Sequence, residues 1–156
     1  MKALIAEYFR GHDLVREAIA GLTEEELRFK PAPDKWSIHE IIIHLADAEI
    51  VGVSRLKKVL AEDRPLLTSY DQDAWANSLE YDRQDREHHL LLFKMLRESM
   101  QPSLETLSAE QSERIGMHDE AGELSFRQLM ERYVSHVRDH LGQIERVKTA
   151  CRQSKA

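Results

Sequence analysis

Apolar residues recur at helical spacing in several long segments of the chain. Near the N-terminus, residues separated by steps of three or four positions share one helical face: Ile5, Tyr8, His12, Val15 and Ile19. Gly21 follows them as a stop signal. The pattern therefore predicts a first helix over residues 2 to about 20.

Two further helices are marked by capping boxes. In this motif a serine and a residue three positions later satisfy the first free backbone N–H groups of a helix. Ser37 with Glu40 fits it, and so does Ser125 with Gln128. The predicted helices span residues 37 to about 61 and about 126 to 150.

A remaining helix is predicted from about residue 84, where Leu91, Leu92, Met95 and Leu96 supply its apolar face. It should end or kink near Pro102, because a proline ring clashes with the preceding turn. The connections are predicted to hold a short acidic turn at 24–27, a loop with one helical turn at 62–82, and a tight turn or short hairpin at 114–123.

Four long amphipathic segments, no credible alternating strands and one connection of about twenty residues predict an all-α protein. The expected architecture is a four-helix bundle with one long crossover. A chain of 156 residues fits one domain, assigned to residues 1–150 with a C-terminal tail at 151–156.

Composition excludes several classes of function. The longest apolar runs are far shorter than the ~20 residues of a membrane-spanning helix, and no cleaved signal is recognisable, so a cytoplasmic location is expected. A formal charge of −6 opposes attraction to nucleic acid. Cys151 is the single cysteine and lies in the expected tail, which excludes an internal disulfide and argues against a catalytic thiol.

Three histidines are candidate metal ligands. His136 and His140 are one helical turn apart, so both rings can reach one ion, although such a pair also arises by chance between solvated rings. His44 lies in the most apolar stretch of its helix, where a ring without a partner is costly; a backbone carbonyl or an acid is the alternative partner. Three neutral histidines would leave one position of a tetrahedral ion open, as in catalytic zinc sites.

Neighbouring residues narrow the chemistry. Val137 stands where a zinc peptidase requires a glutamate, so peptide hydrolysis of that kind is not supported. Asp47 and Asp139 are candidate partners for the ring nitrogens, although surface acids are more often solvated. Arg55, eleven residues from His44, returns to nearly the same face and could hold an anionic substrate group; a salt bridge or a solvated end is at least as common.

Four motifs occur in order along the chain: residues 35–47 (KWSIHEIIIHLAD), 70–75 (YDQDAW), 118–122 (HDEAG) and 133–140 (YVSHVRDH). With them the chain resembles the DinB superfamily, and more closely its YfiT-like branch, associated with bacillithiol transferase activity. The resemblance implies a four-helix bundle in which His44, His136 and His140 bind zinc or nickel, often within a homodimer. Ser135 and Asp139 stand where that branch often carries Trp and further His residues.

Three functions are compatible with these features. The first is a transferase that moves a low-molecular-weight, bacillithiol-like thiol onto an electrophilic substrate, with the ion lowering the pKa of the thiol and Arg55, Tyr70 and Trp75 holding the reactants. The second is a metal-dependent hydrolase, as some relatives are named, with water in place of the thiol. The third is a metal-binding or dimerisation module without catalysis.

Overall fold

The computed structural model describes residues 1–155. Four long helices dominate it. In chain order the elements are α1 (Lys2–Ile19), α2 (Glu24–Arg28), α3 (Ile38–Ala61), β1 (Leu66–Leu67), α4 (Gln72–Ser78), a 3₁₀ turn (Tyr81–Arg83), α5 (Arg86–Glu98), α6 (Gln101–Glu105), α7 (Ala109–Ser112), β2 (Ile115–His118), β3 (Gly122–Ser125) and α8 (Phe126–Ser154).

The long helices form a four-helix bundle, as predicted. Both α1 and α3 pack against α5 and α8, which places α1 and α3 across the bundle from each other. Helix α3 also contacts α2, α4, the 3₁₀ turn and β2. Its residues are consequently buried without interruption from Ile38 to Glu49, and this is the segment that carries His44.

The observed starts of the two histidine-bearing helices agree with the predicted starts. Ser37 caps α3 and Ser125 caps α8, and in both the side chains of the capping box make their two reciprocal hydrogen bonds. Each cap stabilises its helix by about 1 kcal/mol. The two helices that carry the histidines therefore begin where local side-chain chemistry requires them to.

The break predicted near Pro102 is present, and one other helix end differs from prediction. Helix α5 stops at Glu98, and Pro102 lies in the first turn of α6, where its missing N–H costs no hydrogen bond. The predicted end of the last helix at residue 150 is wrong, because Ile144, Val147 and Cys151 continue one apolar face and α8 runs to Ser154. Cys151 is buried, not part of an exposed tail.

The structure contains a small sheet, of which the sequence predicted only the possible hairpin at 114–123. Strand β1 pairs in parallel with β2, which pairs with β3 as an antiparallel hairpin, in the order β1-β2-β3. The hairpin confirms the turn predicted at 114–123, and Gly122 takes a positive φ of 73° in it. Strand β1 is only two residues long, too short for any alternation to show in the sequence.

Two apolar clusters fill the bundle, one around Tyr8, Leu56 and Phe126 and the other around Ile41 and Phe93. A charged group is also enclosed, since Arg97 and Glu49 form an ion pair in which each side chain is 2% exposed. Within residues 1–155, no helix combines the length and the apolar character needed to cross a membrane.

Candidate metal centre

The three predicted histidines converge between α3 and α8. The Nε2 atom of His136 lies 3.1 Å from that of His44 and 3.0 Å from that of His140. The candidate ligand atoms all lie within 4.8 Å of one another. His44 is fully buried, and the other two rings are partly buried.

The spacing of these nitrogens fits a divalent ion. Zinc–nitrogen bonds of about 2.0–2.1 Å at tetrahedral angles place two ligand nitrogens about 3.3 Å apart. The two separations from His136 Nε2 are slightly shorter, and all the candidate ligand atoms lie within 4.8 Å of one another, so a small movement of the rings accommodates an ion. A neutral imidazole has one N–H and one ring lone pair, so three converging Nε2 atoms cannot all satisfy one another by hydrogen bonding.

The electrostatic environment keeps the rings neutral, which metal binding requires. Burial, followed by the neighbouring rings of His140 and His136, lowers the pKa of His44 to about 3. Burial and the His140 ring lower the pKa of His136 to about 3, and burial lowers that of His140. All three rings therefore present lone pairs at neutral pH.

Two residues that sequence reasoning did not select support the triad. Gln143 Oε1 lies 2.8 Å from Nδ1 of His140, and an amide oxygen accepts, so the ring proton sits on Nδ1 and the Nε2 lone pair faces the other histidines. Trp36 packs on two ligands, with ring centroids 4.7 Å from His44 and 6.4 Å from His140. Gln143 lies three residues after His140 on the same helix. That spacing could have indicated it as a partner of the histidine.

The two acids considered as partners of the ring nitrogens are placed elsewhere. Asp47 is buried and accepts a hydrogen bond of 2.5 Å from the hydroxyl of Tyr81. Asp139 is exposed on the surface of α8. Within residues 1–155, Nδ1 of His44 is a buried nitrogen without a hydrogen-bond partner. The carbonyl or acid that could have explained a buried His44 is therefore not found among the described residues.

Replacing Gln143 tests the orientation of His140. We expect Gln143→Ala to weaken zinc affinity by about 10- to 100-fold, because the ring loses the acceptor that fixes its tautomer. Competition with a chelating dye measures this affinity. Gln153→Ala, an exposed glutamine on the same helix, is the matched control and should match wild type. Equal affinity in both variants would show that Gln143 plays no part in the site.

The burial of neutral His44 predicts acid destabilisation of the metal-free protein. In the folded protein the pKa of His44 is about 3, below the ordinary value of 6.5. Below pH 6.5 the unfolded chain therefore binds more protons than the folded chain, and the protein becomes less stable as the pH is lowered. As the pH falls from 6.5 to 5, His44 should contribute a slope in the unfolding free energy that grows from about 0.7 to about 1.4 kcal/mol per pH unit, and His44→Leu should remove it. Urea titrations at several pH values measure this slope.

The control for this slope is His88→Leu, whose ring is 82% exposed and therefore solvated in both the folded and the unfolded state. Its slope should equal that of wild type. A His44→Leu slope equal to wild type would contradict the burial of a neutral ring at this position.

A cavity of about 260 Å³ adjoins the triad. His136 lines it, together with the predicted residues Arg55 and Tyr70. The other lining residues were not predicted: Ala48, Gln72, His118, Leu129, Arg132 and Tyr133. Trp75 is not among the lining residues, and its ring centroid lies 4.7 Å from that of Tyr70. The structure therefore brings Arg55 and Tyr70 to the cavity, whereas Trp75 only supports Tyr70.

The local fold explains the shape of this cavity. Gly52 on α3 lets the ring of Tyr133 lie against the helix, since a Cβ there would come within 2.5 Å of its Cε1 atom. Arg132 and Tyr133 precede His136 by one turn of α8, a spacing that could have indicated them. His118 ends β2 and reaches the site only because β2 pairs with β1, which the sequence did not predict.

The family model of the DinB superfamily matches residues 8–144 of the chain. The chain belongs to the DinB superfamily. The resemblance recognised from the four motifs is thereby confirmed. Among DinB relatives, a protein from Oceanobacillus iheyensis named "Putative metal-dependent hydrolase" is 29% identical over 131 residues, which cover 84% of this chain and 76% of the relative.

Other DinB-superfamily proteins carry the same name. One from Halalkalibacterium halodurans is 28% identical, over 80% of this chain and 72% of its own. YfiT of Bacillus subtilis has a solved structure, described as that of "a probable metal-dependent hydrolase with an unusual four-helix bundle topology"; it matches with a TM-score of 0.87 and 22% identity, over 95% of this chain and 85% of that chain. This similarity confirms the fold.

Proposed function

We propose that this DinB-superfamily protein is a metal-dependent enzyme that transfers a low-molecular-weight, bacillithiol-like thiol to an electrophilic small molecule. His44, His136 and His140 would hold zinc or nickel. The observation that carries the proposal is the convergence of three neutral Nε2 atoms beside a cavity that His136 itself lines. Three protein ligands leave a fourth position for a reactant, which distinguishes a catalytic from a structural zinc site.

In the part of the chain that the structure describes, the cavity wall offers no carboxylate to act as a base. When bound, a divalent ion lowers the pKa of a thiol or water molecule at its open position. Among residues 1–155, those that line the cavity include no Asp or Glu, so no carboxylate is placed there to remove a proton. Tyr70 and Tyr133 keep their hydroxyl protons, because burial raises the pKa of Tyr70 to about 12 and also raises that of Tyr133. These hydroxyls can orient a reactant.

Hydrolysis is the second candidate, and the names of the DinB relatives from Oceanobacillus and Halalkalibacterium favour it. It would use the same three histidines, with water in place of the thiol. The two candidates differ in one requirement, the thiol. The homodimer and the cytoplasmic location expected from the sequence stay predictions.

Turnover assays separate these candidates. Zinc- and nickel-loaded protein would be assayed with 1-chloro-2,4-dinitrobenzene and a panel of thiols that includes bacillithiol, and separately with esters in the absence of thiol. Thiol-dependent consumption of the chloride that is lost in His44→Ala supports transfer. Ester turnover without thiol supports hydrolysis instead, and no metal-dependent turnover in either assay would leave metal binding without catalysis.

A further inference from the structure

The cavity beside the triad is lined by positive charge and hydrogen-bond donors. Arg55 and Arg132 both face it, in a chain with 28 acidic and 22 basic residues. Among the described residues, no Asp or Glu shares its wall. Although the protein is acidic overall, two cationic side chains and, within residues 1–155, no carboxylate line this cavity.

Arg55 is held in place without an acidic partner. Its Nη1 donates to the hydroxyl of Tyr133 at 3.3 Å, and its Nη2 donates to the backbone carbonyl of Thr68. Its Nε is buried and has no hydrogen-bond partner within residues 1–155. The guanidinium is thus fixed by neutral groups, and its charge is left uncompensated.

Arg132 is likewise unpaired in the part of the chain that the structure describes, where no carboxylate lies within 4.0 Å of it. Seven of the fourteen arginines have acidic partners: Arg28, Arg64, Arg83, Arg86, Arg97, Arg127 and Arg138. Unpaired arginines also occur elsewhere in the described residues, so the distinguishing feature is that Arg55 and Arg132 line the same cavity. Two arginines without such partners at one cavity repel each other, and an anion between them relieves that repulsion.

His118 adds a third donor. Its side chain is 8% exposed, and its Nδ1 accepts from the backbone N–H groups of Glu120 at 3.2 Å and Ala121 at 3.3 Å. Asp119 Oδ1 also lies 3.2 Å from this nitrogen. In the tautomer in which Nδ1 accepts from the two backbone groups, the ring proton sits on Nε2 and is available as a donor. Burial, followed by the charge of Arg55, lowers the pKa of His118, consistent with a neutral ring near Arg55.

We propose that this cavity binds the anionic group, a carboxylate or a phosphate, of the small molecule that reacts at the histidine triad, with Arg55 and Arg132 as its charge partners and His118 as a further donor. Guanidinium groups bind both anions through paired N–H donors. The volume of about 260 Å³ lies below that of pockets for drug-sized ligands, so the substrate is a small molecule. Only the statement that the anion belongs to a reactant rests on the proposed function.

Anion binding can be measured without any metal. The ¹⁵N-labelled metal-free protein would be titrated at low ionic strength with inorganic phosphate, succinate and uncharged succinamide, following backbone amide resonances. Saturable shifts around residues 116–120 and 132–136 are expected with the anions and not with succinamide. The phosphate and succinate arms show which anion the cavity prefers.

Arg132→Gln should raise the apparent Kd for the preferred anion at least about tenfold, because one charge-assisted contact is lost. Arg132 is exposed, so the fold should persist, and Arg55→Gln is the second test. Arg138→Gln removes the same charge from α8 at a residue that pairs with Glu7, and should stay within about twofold of wild type. No saturable binding, or unchanged Kd in both Arg55→Gln and Arg132→Gln, would overturn the proposal.

The two proposals fail separately. Saturable anion binding by a wild-type protein that shows no metal-dependent turnover in either assay would reject the enzymatic function and keep the anion site. With a turned-over substrate that carries an anionic group, Arg132→Gln should raise KM with little change in kcat, as expected for lost ground-state binding. If the substrate that is turned over is neutral and its KM is the same for wild type and Arg132→Gln, the arginines do not bind this reactant.

Discussion

Glu49→Ala should lower the free energy of unfolding by about 3–5 kcal/mol. The substitution removes the carboxylate that accepts from Nε of Arg97 at 3.0 Å and from its Nη2 at 2.8 Å. The guanidinium, only 2% exposed, would then be buried without a counter-charge. Small domains have about 5–15 kcal/mol of total stability, so a loss of this size is a large fraction of it.

The ion pair has this importance because it joins all four long helices. Glu49 lies on α3 and accepts a further hydrogen bond from the hydroxyl of Tyr8 on α1. Arg97, on α5, donates to the backbone carbonyls of Tyr8 and of Tyr133 on α8. Gly11 makes room for it, since a Cβ there would lie 2.2 Å from Nη1. Tyr133 is one turn before His136, so the network also positions the metal centre.

Urea unfolding measures the prediction, and a double variant is its control. Replacing the pair by apolar residues, Glu49→Leu with Arg97→Met, removes both charges together and should recover much of the loss. If Glu49→Ala unfolds at the same urea concentration as wild type, the pair is not a buried cross-link of the bundle.

His136→Ala should abolish stoichiometric metal binding, with bound zinc falling below about one tenth per chain after dialysis against a weak chelator. His136 is the central ligand, since its Nε2 is the atom close to both other Nε2 atoms, at 3.1 Å and 3.0 Å. Its removal leaves only two histidine ligands, His44 on α3 and His140 on α8, one fewer than the three of a catalytic zinc site. Any metal-dependent turnover should fall to the background rate.

Elemental analysis of the purified variants measures this loss. His88→Ala removes an exposed histidine of α5 and should bind zinc as wild type does. Circular dichroism of His136→Ala would verify that the helices are retained. Full zinc occupancy in a folded His136→Ala protein would show that the ion binds elsewhere.

Local sequence chemistry predicted much of the fold. The capping boxes at Ser37 and Ser125, like the apolar spacing, depend on residues within one turn of each other. The starts of α3 and α8 could therefore be predicted directly from the sequence. The four-helix bundle followed from the helices. The triad could be predicted because His136 and His140 share a helical face and because His44 lies in an apolar stretch, where a ring needs a partner.

The missed features depend on contacts between distant segments. Strand β1 has no pattern of its own and forms only because Leu66 and Leu67 pair with Met117 and His118. That pairing places His118 at the cavity. Neither strand β1 nor the position of His118 could therefore be predicted from residue spacing. The role of Trp36 likewise depends on how the chain before α3 packs against α8.

The metal content of the wild-type protein tests the central claim most directly. We would purify the protein without an affinity tag that binds metal, incubate it with zinc, dialyse it, and measure zinc by inductively coupled plasma mass spectrometry. Convergence of His44, His136 and His140 predicts about one zinc per chain. A folded protein that retains no zinc, and no nickel in a parallel sample, would contradict the three-histidine metal centre.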